Sequence, residues 1–241
     1  MQVEQKYFVG IQDVGAGYRM HNKAMLEAMT NTANIHANTV GQGTDDLESS
    51  GLTWVVANWK LQVLRRPKVC STVTVRTWAQ AYSRAQARRE CEILDEKGER
   101  LAIATSVWAA VDTGRGSIIR LTPELMEGYG CEPERENFPG YQFPKTGKND
   151  LPVLAQTSVK VSRFMIDCNH HVHNPAYLDL ANEVLPEELD AGLFDNVEIS
   201  YKREIPPRAE VSLAYAREED RHIVLLRDPE DRALHARITL Y

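Results

Sequence analysis

At 241 residues the chain is long enough for one large domain or two of ordinary size. Its 43% hydrophobic and 26% charged residues match a soluble globular protein, and a net charge of -6 sits poorly with general nucleic-acid binding, which leaves a basic footprint. The longest apolar runs are too short to span a bilayer, so no membrane insertion is expected, and residues 1–6 lack the charged-then-apolar layout of a secretion signal. Cys70, Cys91, Cys131 and Cys168 form neither a CxxC pair nor a disulfide scaffold, so reduced thiols and a cytoplasmic address are expected.

From Asn22 to about Thr39 the residues Ala24, Met25, Ala28, Met29, Thr32, Ile35 and His36 recur at threes and fours, which predicts a helix. After Gly51 the pattern changes to strands: residues 52–64, ending at Arg65-Arg66-Pro67, then 69–82, 84–94 and 99–111. The last two are joined by Asp95-Glu96-Lys97-Gly98, a good hairpin turn.

The same order then recurs. A strand over 156–164 leads into a loop at 167–174 and a helix from Pro175 to about Leu185; strands follow at 197–205, 210–217, 222–227 and 233–240. Arg66-Pro67-Lys68 corresponds to Pro206-Pro207-Arg208, and the turn 95–98 to Asp228-Pro229-Glu230-Asp231. Each half reads as one long helix followed by a curved antiparallel sheet, an α+β duplication in which each element buries the other. The expected boundaries are 1–127 for the first domain and 152–241 for the second. The segment 128–151, rich in Gly, Pro and charge, reads as the linker between them.

The chemistry is concentrated in Asp167-Cys168-Asn169-His170-His171-Val172-His173-Asn174-Pro175. Asn174 suits an N-cap, and Pro175 the first helical position, where its missing N–H costs nothing. Alternate residues of an extended segment share a face, so Asp167, Asn169 and His171 are expected to converge beside a helix start. A lone histidine is more often structural. Here a carboxylate lies four residues away and an amide two, which suits an imidazole that takes a proton from water.

Glu204, at the end of the expected strand 197–205, is a carboxylate that could activate such a water; its bland role is an ion pair with Lys202, Arg203 or Arg208. Glu183 faces either the pocket or solvent. A Cys168 thiolate is disfavoured because strand alternation turns Cys168 away from that face. A metal site is disfavoured too, because neighbouring histidines do not readily converge on one ion. No metal or cofactor is expected. The Gly-x-Ser-x-Gly elbow is absent.

These motifs together resemble the acyl-acyl carrier protein thioesterases, which carry two tandem hotdog domains. The resemblance rests on Leu52-Thr53-Trp54-Val55-Val56, Leu61-Gln62-Val63, Arg66-Pro67, Thr77-Trp78, Ala104-Thr105-Ser106-Val107-Trp108 and Arg120-Leu121-Thr122-Pro123-Glu124-Leu125. In the second half it rests on Asp167, Asn169, His171, Val172, Asn174, Tyr177 and Glu183, then Tyr201-Lys202-Arg203-Glu204. It implies a catalytic set of Asp167, Asn169, His171 and Glu204 that hydrolyses fatty acyl-acyl carrier protein and ends chain elongation. It also implies an acyl-binding first domain, for which Met25, Met29, Trp54 and Trp59 are candidate tunnel residues, although core packing explains any one of them.

Two positions depart from the family pattern. Ile205 stands where some members have a cysteine, which weakens a cysteine mechanism, and His173 stands where plant members usually have asparagine. The absence of a plastid-targeting extension suggests a bacterial form. The implied partner is acidic acyl carrier protein, met by basic residues among Arg65, Arg66, Lys68, Lys202, Arg203 and Arg208. A homodimer of chains is optional. The rival readings are an acyl-CoA thioesterase, a hotdog dehydratase and a non-catalytic acyl-thioester-binding protein.

Overall fold

Period-3.6 patterning before Leu52 and period-2 patterning after it produce the helix and strands they demand. A computed structural model of the chain describes residues 1–15, 17–144 and 150–241. They divide into two units, Met1–Met20 with Ala24–Tyr141 and His21–Lys23 with Gln142–Tyr241.

The first unit contains β1 (Gln2–Phe8), α1 (Asn22–Thr39), α2 (Leu47–Ser50), β2 (Leu52–Val63), β3 (Thr72–Tyr82), β4 (Ala87–Leu94), β5 (Arg100–Asp112), β6 (Ser117–Ile118) and α3 (Pro123–Glu127). Its antiparallel strands lie in the order β1-β3-β4-β5-β2, with β6 on β5. Along α1, Ala24, Met25, Ala28, Met29, Thr32 and His36 are buried while Asn31 and Asn34 are exposed, the stripe expected of an amphipathic helix.

β4 is covered on both faces. Arg89 points toward α1, where its Nη1 lies 3.1 Å from His36 Nδ1. The alternate residues Arg88, Glu90 and Glu92 meet the chain after α3: Arg88 donates to the Tyr141 carbonyl, the Asn137 N–H donates to Glu90 Oε2, and Arg135 lies 3.4 Å from Glu92. Trp78 and Gln80 on β3 likewise donate to the carbonyls of Arg135 and Pro133. The segment 128–141 is therefore a strap packed on the first unit, anchored by buried Tyr129, and not the loose linker its Gly, Pro and charge content suggest. Residues 145–149 of that expected linker lie outside the described residues.

The second unit contains β7 (Val153–Lys160), α4 (Tyr177–Asn182), β8 (Asn196–Tyr201), β9 (Glu210–Glu218), β10 (Arg221–Arg227) and β11 (Leu234–Leu240). Its strand order is β8-β11-β10-β9-β7, all antiparallel. Three elements are shorter than the sequence suggests. β7 ends at Lys160, because the chain turns through a 3-10 helix at Arg163–Met165. β8 ends at Tyr201, where the N–H groups of both Lys202 and Arg203 go to the His235 carbonyl (2.8 and 3.2 Å) and break the ladder. The helix expected to reach Leu185 stops at Asn182. Pro186 disfavours helical backbone at Leu185, and the Asn182 side chain turns to accept the Ala191 N–H. Only the first unit has a long helix. Among the described residues no helix is long and apolar enough to cross a membrane.

Glu90 lies 1% exposed beneath the strap. Burial raises its pKa to about 7, against the hydrogen bonds from Thr105 and Asn137 that lower it. Between the unfolded value near 4.5 and about 7 the folded state holds a proton that the unfolded state has lost. Stability should therefore fall as pH rises through that window, by up to about 3 kcal/mol. Denaturant melts at pH 5 and pH 8 should show this slope in wild type and lose it in Glu90→Gln.

Candidate active site

The site is built in the second unit on a tight hairpin. The N–H of His173 donates to the Met165 carbonyl (2.8 Å), and Ile166 pairs with Val172. The Asp167 N–H donates to the His171 carbonyl (3.0 Å), and the His170 N–H to the Asp167 carbonyl (3.1 Å). His170 has φ +64°. This is a three-residue hairpin loop, Cys168-Asn169-His170, closed by a residue in the left-handed region.

The turn changes which residues meet. In an extended segment Asp167, Asn169 and His171 would share a face. In the hairpin Asp167 and His171 stand opposite one another, with Asp167 Oδ1 3.6 Å from His171 Nδ1. Asn169 sits exposed at the tip, where its backbone N–H donates to Asp167 Oδ1 at 2.8 Å. Its side-chain amide makes no hydrogen bond among the described residues. Cys168 is exposed on the same tip.

Glu204 reaches the same imidazole from a separate segment. It lies in the loop after β8, three residues beyond the strand's end at Tyr201, and not within a strand running to 205 as expected. The Val172 N–H donates to the Ile205 carbonyl (2.9 Å) and ties that loop to the hairpin. Glu204 Oε2 is then 3.5 Å from His171 Nε2. His171 is bracketed by a carboxylate at each ring nitrogen, with side-chain exposures of 28% for His171, 18% for Asp167 and 71% for Glu204. Among the described residues Glu204 makes no ion pair with Lys202, Arg203 or Arg208; Arg203 instead meets Asp231 at 3.0 Å. Glu183 is exposed at the end of α4.

The helix start is also different from the sequence reading. Residues Asn174–Ala176 form a 3-10 turn with His173 at its cap and no side-chain cap bond. The N–H groups of Ala176 and Tyr177 bond back to the carbonyls of His173 and Asn174, and Pro175 has none. These donors are spent within the turn, and the Asn169 amide, at the hairpin tip, has no hydrogen bond among the described residues. His173 is half-buried; burial first, and then the Lys23 charge, lower its pKa while Asp167 opposes them. Its pKa lies below that of an ordinary histidine, so the neutral form is favoured.

Two tyrosines of the family motifs support the site. The Tyr201 hydroxyl donates to the Asn174 carbonyl (2.8 Å), and its ring meets Tyr177 edge-on at 5.0 Å. The Tyr177 hydroxyl is hydrogen-bonded to the Ile205 backbone, and burial raises its pKa above the ordinary value. Their presence in the Asp-Asn-His-Tyr and Tyr-Lys-Arg-Glu strings was the available signal.

Among the described residues no group of three or more His, Cys, Asp or Glu side chains is arranged to hold a metal. In the first unit Met25, Met29 and Trp59 are sealed in the core, and Trp54 is half-buried. Of the six basic residues, Arg65 pairs with Asp95 and Glu99, Arg66 donates to the Met20 carbonyl and Arg203 pairs with Asp231. Lys68, Lys202 and Arg208 are exposed and make no ion pair among the described residues.

The whole chain is similar in fold to solved double-hotdog proteins. One is an acyl-ACP thioesterase from Bacteroides thetaiotaomicron, with TM-score 0.85 and 19% identity over 99% of this chain and 96% of that one. Another is the 12:0-ACP thioesterase from Umbellularia californica, with TM-score 0.81 and 19% identity over 99% and 96%. That likeness defines the class, a tandem hotdog α+β protein.

The family follows from the sequence match. Residues 1–129 match the acyl-ACP thioesterase N-terminal domain and residues 150–232 its C-terminal domain, and the chain belongs to that family. Among curated relatives, the chloroplastic oleoyl-acyl carrier protein thioesterase 2 of Arabidopsis thaliana is 26% identical over 220 residues, 83% of this chain. The chain spans 59% of that relative's length.

The left-handed backbone at His170 yields a test of the hairpin. His170→Gly should leave stability unchanged or slightly raised, whereas His170→Val should cost about 1–2 kcal/mol. Equal melting midpoints for the two variants would contradict the turn.

Proposed function

We propose that this protein hydrolyses the thioester of fatty acyl-acyl carrier protein, releasing free fatty acid and ending chain elongation. Membership of the thioesterase family supports the reaction class. The single observation that carries the residue assignment is the His171 ring held between Asp167 and Glu204.

A water touching both His171 Nε2 and Glu204 lies within the roughly 2.6–3.2 Å reach that proton abstraction requires. Its oxygen bonds to the thioester carbonyl carbon as His171 or Glu204 takes the proton, and the C=O electron pair moves onto oxygen. Asp167 orients the ring and stabilises its charged form. The Asn169 amide, with no other partner, donates to the oxyanion. Collapse re-forms C=O and breaks the C–S bond. The departing pantetheine thiolate then takes the proton held by the base, and fatty acid leaves.

The first unit takes the acyl chain, with Met25, Met29, Trp54 and Trp59 as its candidate lining. Lys202 and Arg208, exposed and without ion-pair partners among the described residues, suit an acidic carrier. A reducing, cytoplasmic setting agrees with four unpaired thiols.

Thiol release from C8 to C18 acyl-carrier-protein and acyl-CoA substrates tests the reading. Faster turnover on carrier protein is expected, and His171→Ala and Glu204→Gln should each lower kcat by about 10²–10⁴. Asn169→Ala should lower it by about 10²–10³. Folded variants that keep wild-type turnover would refute the assignment, and turnover confined to acyl-CoA would replace the carrier.

Tyr177→Phe tests the positioning of Glu204 through Ile205. It should lower kcat about tenfold or more, with KM and melting midpoint nearly unchanged, because a small misplacement of a catalytic group costs rate more than binding.

A further inference from the structure

A second cluster of polar side chains lies inside the first unit, apart from the hydrolytic residues. Arg89 on β4 is only 8% exposed. Its Nη1 lies 3.1 Å from His36 Nδ1 and donates to Thr77 Oγ1 at 3.2 Å. A guanidinium can only donate, so His36 Nδ1 is the acceptor. Burial and the Arg89 charge hold the His36 pKa down to about 3, so the ring is neutral. A neutral ring that accepts at Nδ1 carries its hydrogen at Nε2. That Nε2–H is buried and has no acceptor.

Tyr129, after α3, sits against all of these groups. Its ring is 5.1 Å from the His36 ring, 6.0 Å from the Trp54 ring and 5.6 Å from the Arg89 guanidinium carbon. The Tyr129 hydroxyl and the Trp54 indole N–H are both buried and make no close hydrogen bond to any other group. Burial raises the phenol's pKa to about 12, against the Arg89 charge and the Trp54 indole N–H directed at its oxygen, which lower it, so the phenol keeps its proton.

With the Trp54 N–H directed at the phenol oxygen, the donors left without an acceptor are His36 Nε2–H and Tyr129 O–H, beside a buried cation. Among the described residues no carboxylate lies within ion-pair distance of Arg89; it faces Cys91, Tyr129 and Cys131. On the opposite face of the same strand, Glu92 is equally buried and has three guanidinium partners, from Arg76, Arg100 and Arg135. The fold matches the one buried charge and leaves the other unmatched. Buried donors and charges without partners are costly, and an acceptor with negative charge is the complement that satisfies both.

We infer that Arg89, His36, Tyr129 and Trp54 form an anion site in the first unit whose occupant is a carboxylate on an aliphatic chain. A planar carboxylate matches the guanidinium fork and still offers lone pairs to the neighbouring donors. The surroundings suit an alkyl chain: Ala37, Leu52, Ala110, Leu121 and Met126 share a cluster with Tyr129. Trp54 is shared with the proposed acyl lining, but none of the site's residues belongs to the hairpin around His171, so the anion site can be tested apart from hydrolysis.

The test is calorimetric titration and thermal melting of the full chain with sodium octanoate, octan-1-ol and sodium chloride. Octanoate should bind one to one and raise Tm, while octanol and chloride at equal concentration should not. Arg89→Met should weaken octanoate binding by about 10–100-fold, the effect of losing a charged hydrogen bond. Because Arg89→Met could fail to fold, Tyr129→Phe provides the second variant, with binding weakened about tenfold.

His171→Ala should bind octanoate as wild type does, even if thioester turnover proves absent, which separates this site from the proposed activity. Equal shifts from octanol would overturn charge recognition, and an equal shift from chloride would overturn the carboxylate. Unchanged binding in Tyr129→Phe, lost binding in His171→Ala, or no response to any ligand would overturn the site.

Discussion

The second unit's site depends on one backbone hydrogen bond, from the Val172 N–H to the Ile205 carbonyl. His171 and Glu204 are 33 positions apart in the chain, and neither strand pairing nor helix periodicity brings them together. The bond joins the hairpin to the irregular loop after β8, and the Tyr177 hydroxyl holds the Ile205 backbone from beneath. An exposed glutamate would otherwise sample solvent. Here it is delivered to one nitrogen of an imidazole whose other nitrogen already faces Asp167.

The first unit is organised around a different constraint, a strand buried on both faces. β4 carries Arg89, Glu90, Cys91 and Glu92 in succession, and alternation sends them to opposite sides. Toward the strap, Glu92 is matched by three arginines and Glu90 by two hydrogen bonds. Toward α1, Arg89 meets a neutral histidine, the Thr77 hydroxyl and the Tyr129 ring, with no carboxylate within ion-pair distance among the described residues. A polar face so unevenly balanced has the electrostatics of a binding site, whereas the matched face has those of a structural seam.

Much of the architecture was legible in the sequence. The repeated order of helix and meander, the hairpin at 95–98 and the stripe along α1 follow from local periodicity and turn chemistry, which act over a few residues. Gly, Pro and charge usually mark a solvent-exposed linker, and the strap carries all three although it is packed down. Its fixed points are tertiary contacts such as the Trp78 indole to the Arg135 carbonyl. Val184 and Leu185 continue an apolar pattern that predicts a longer second helix, which Pro186 and the Asn182 side chain cut short.

By itself the sequence determined the residue types of the site, the duplicated α+β plan and the family motifs, because each is encoded in short-range spacing. Tertiary structure alone decided which of those residues meet. A left-handed residue at His170 turned an expected extended segment into a hairpin, so Asp167 faces His171 and Asn169 projects from the tip. The 3-10 turn spent the helix-start donors on its own carbonyls. The donor cluster at Arg89 likewise had no signature in the chain, because its members come from β4, α1, β2 and the turn after α3. Proximity among distant segments is set by packing and backbone pairing, which local pattern does not encode.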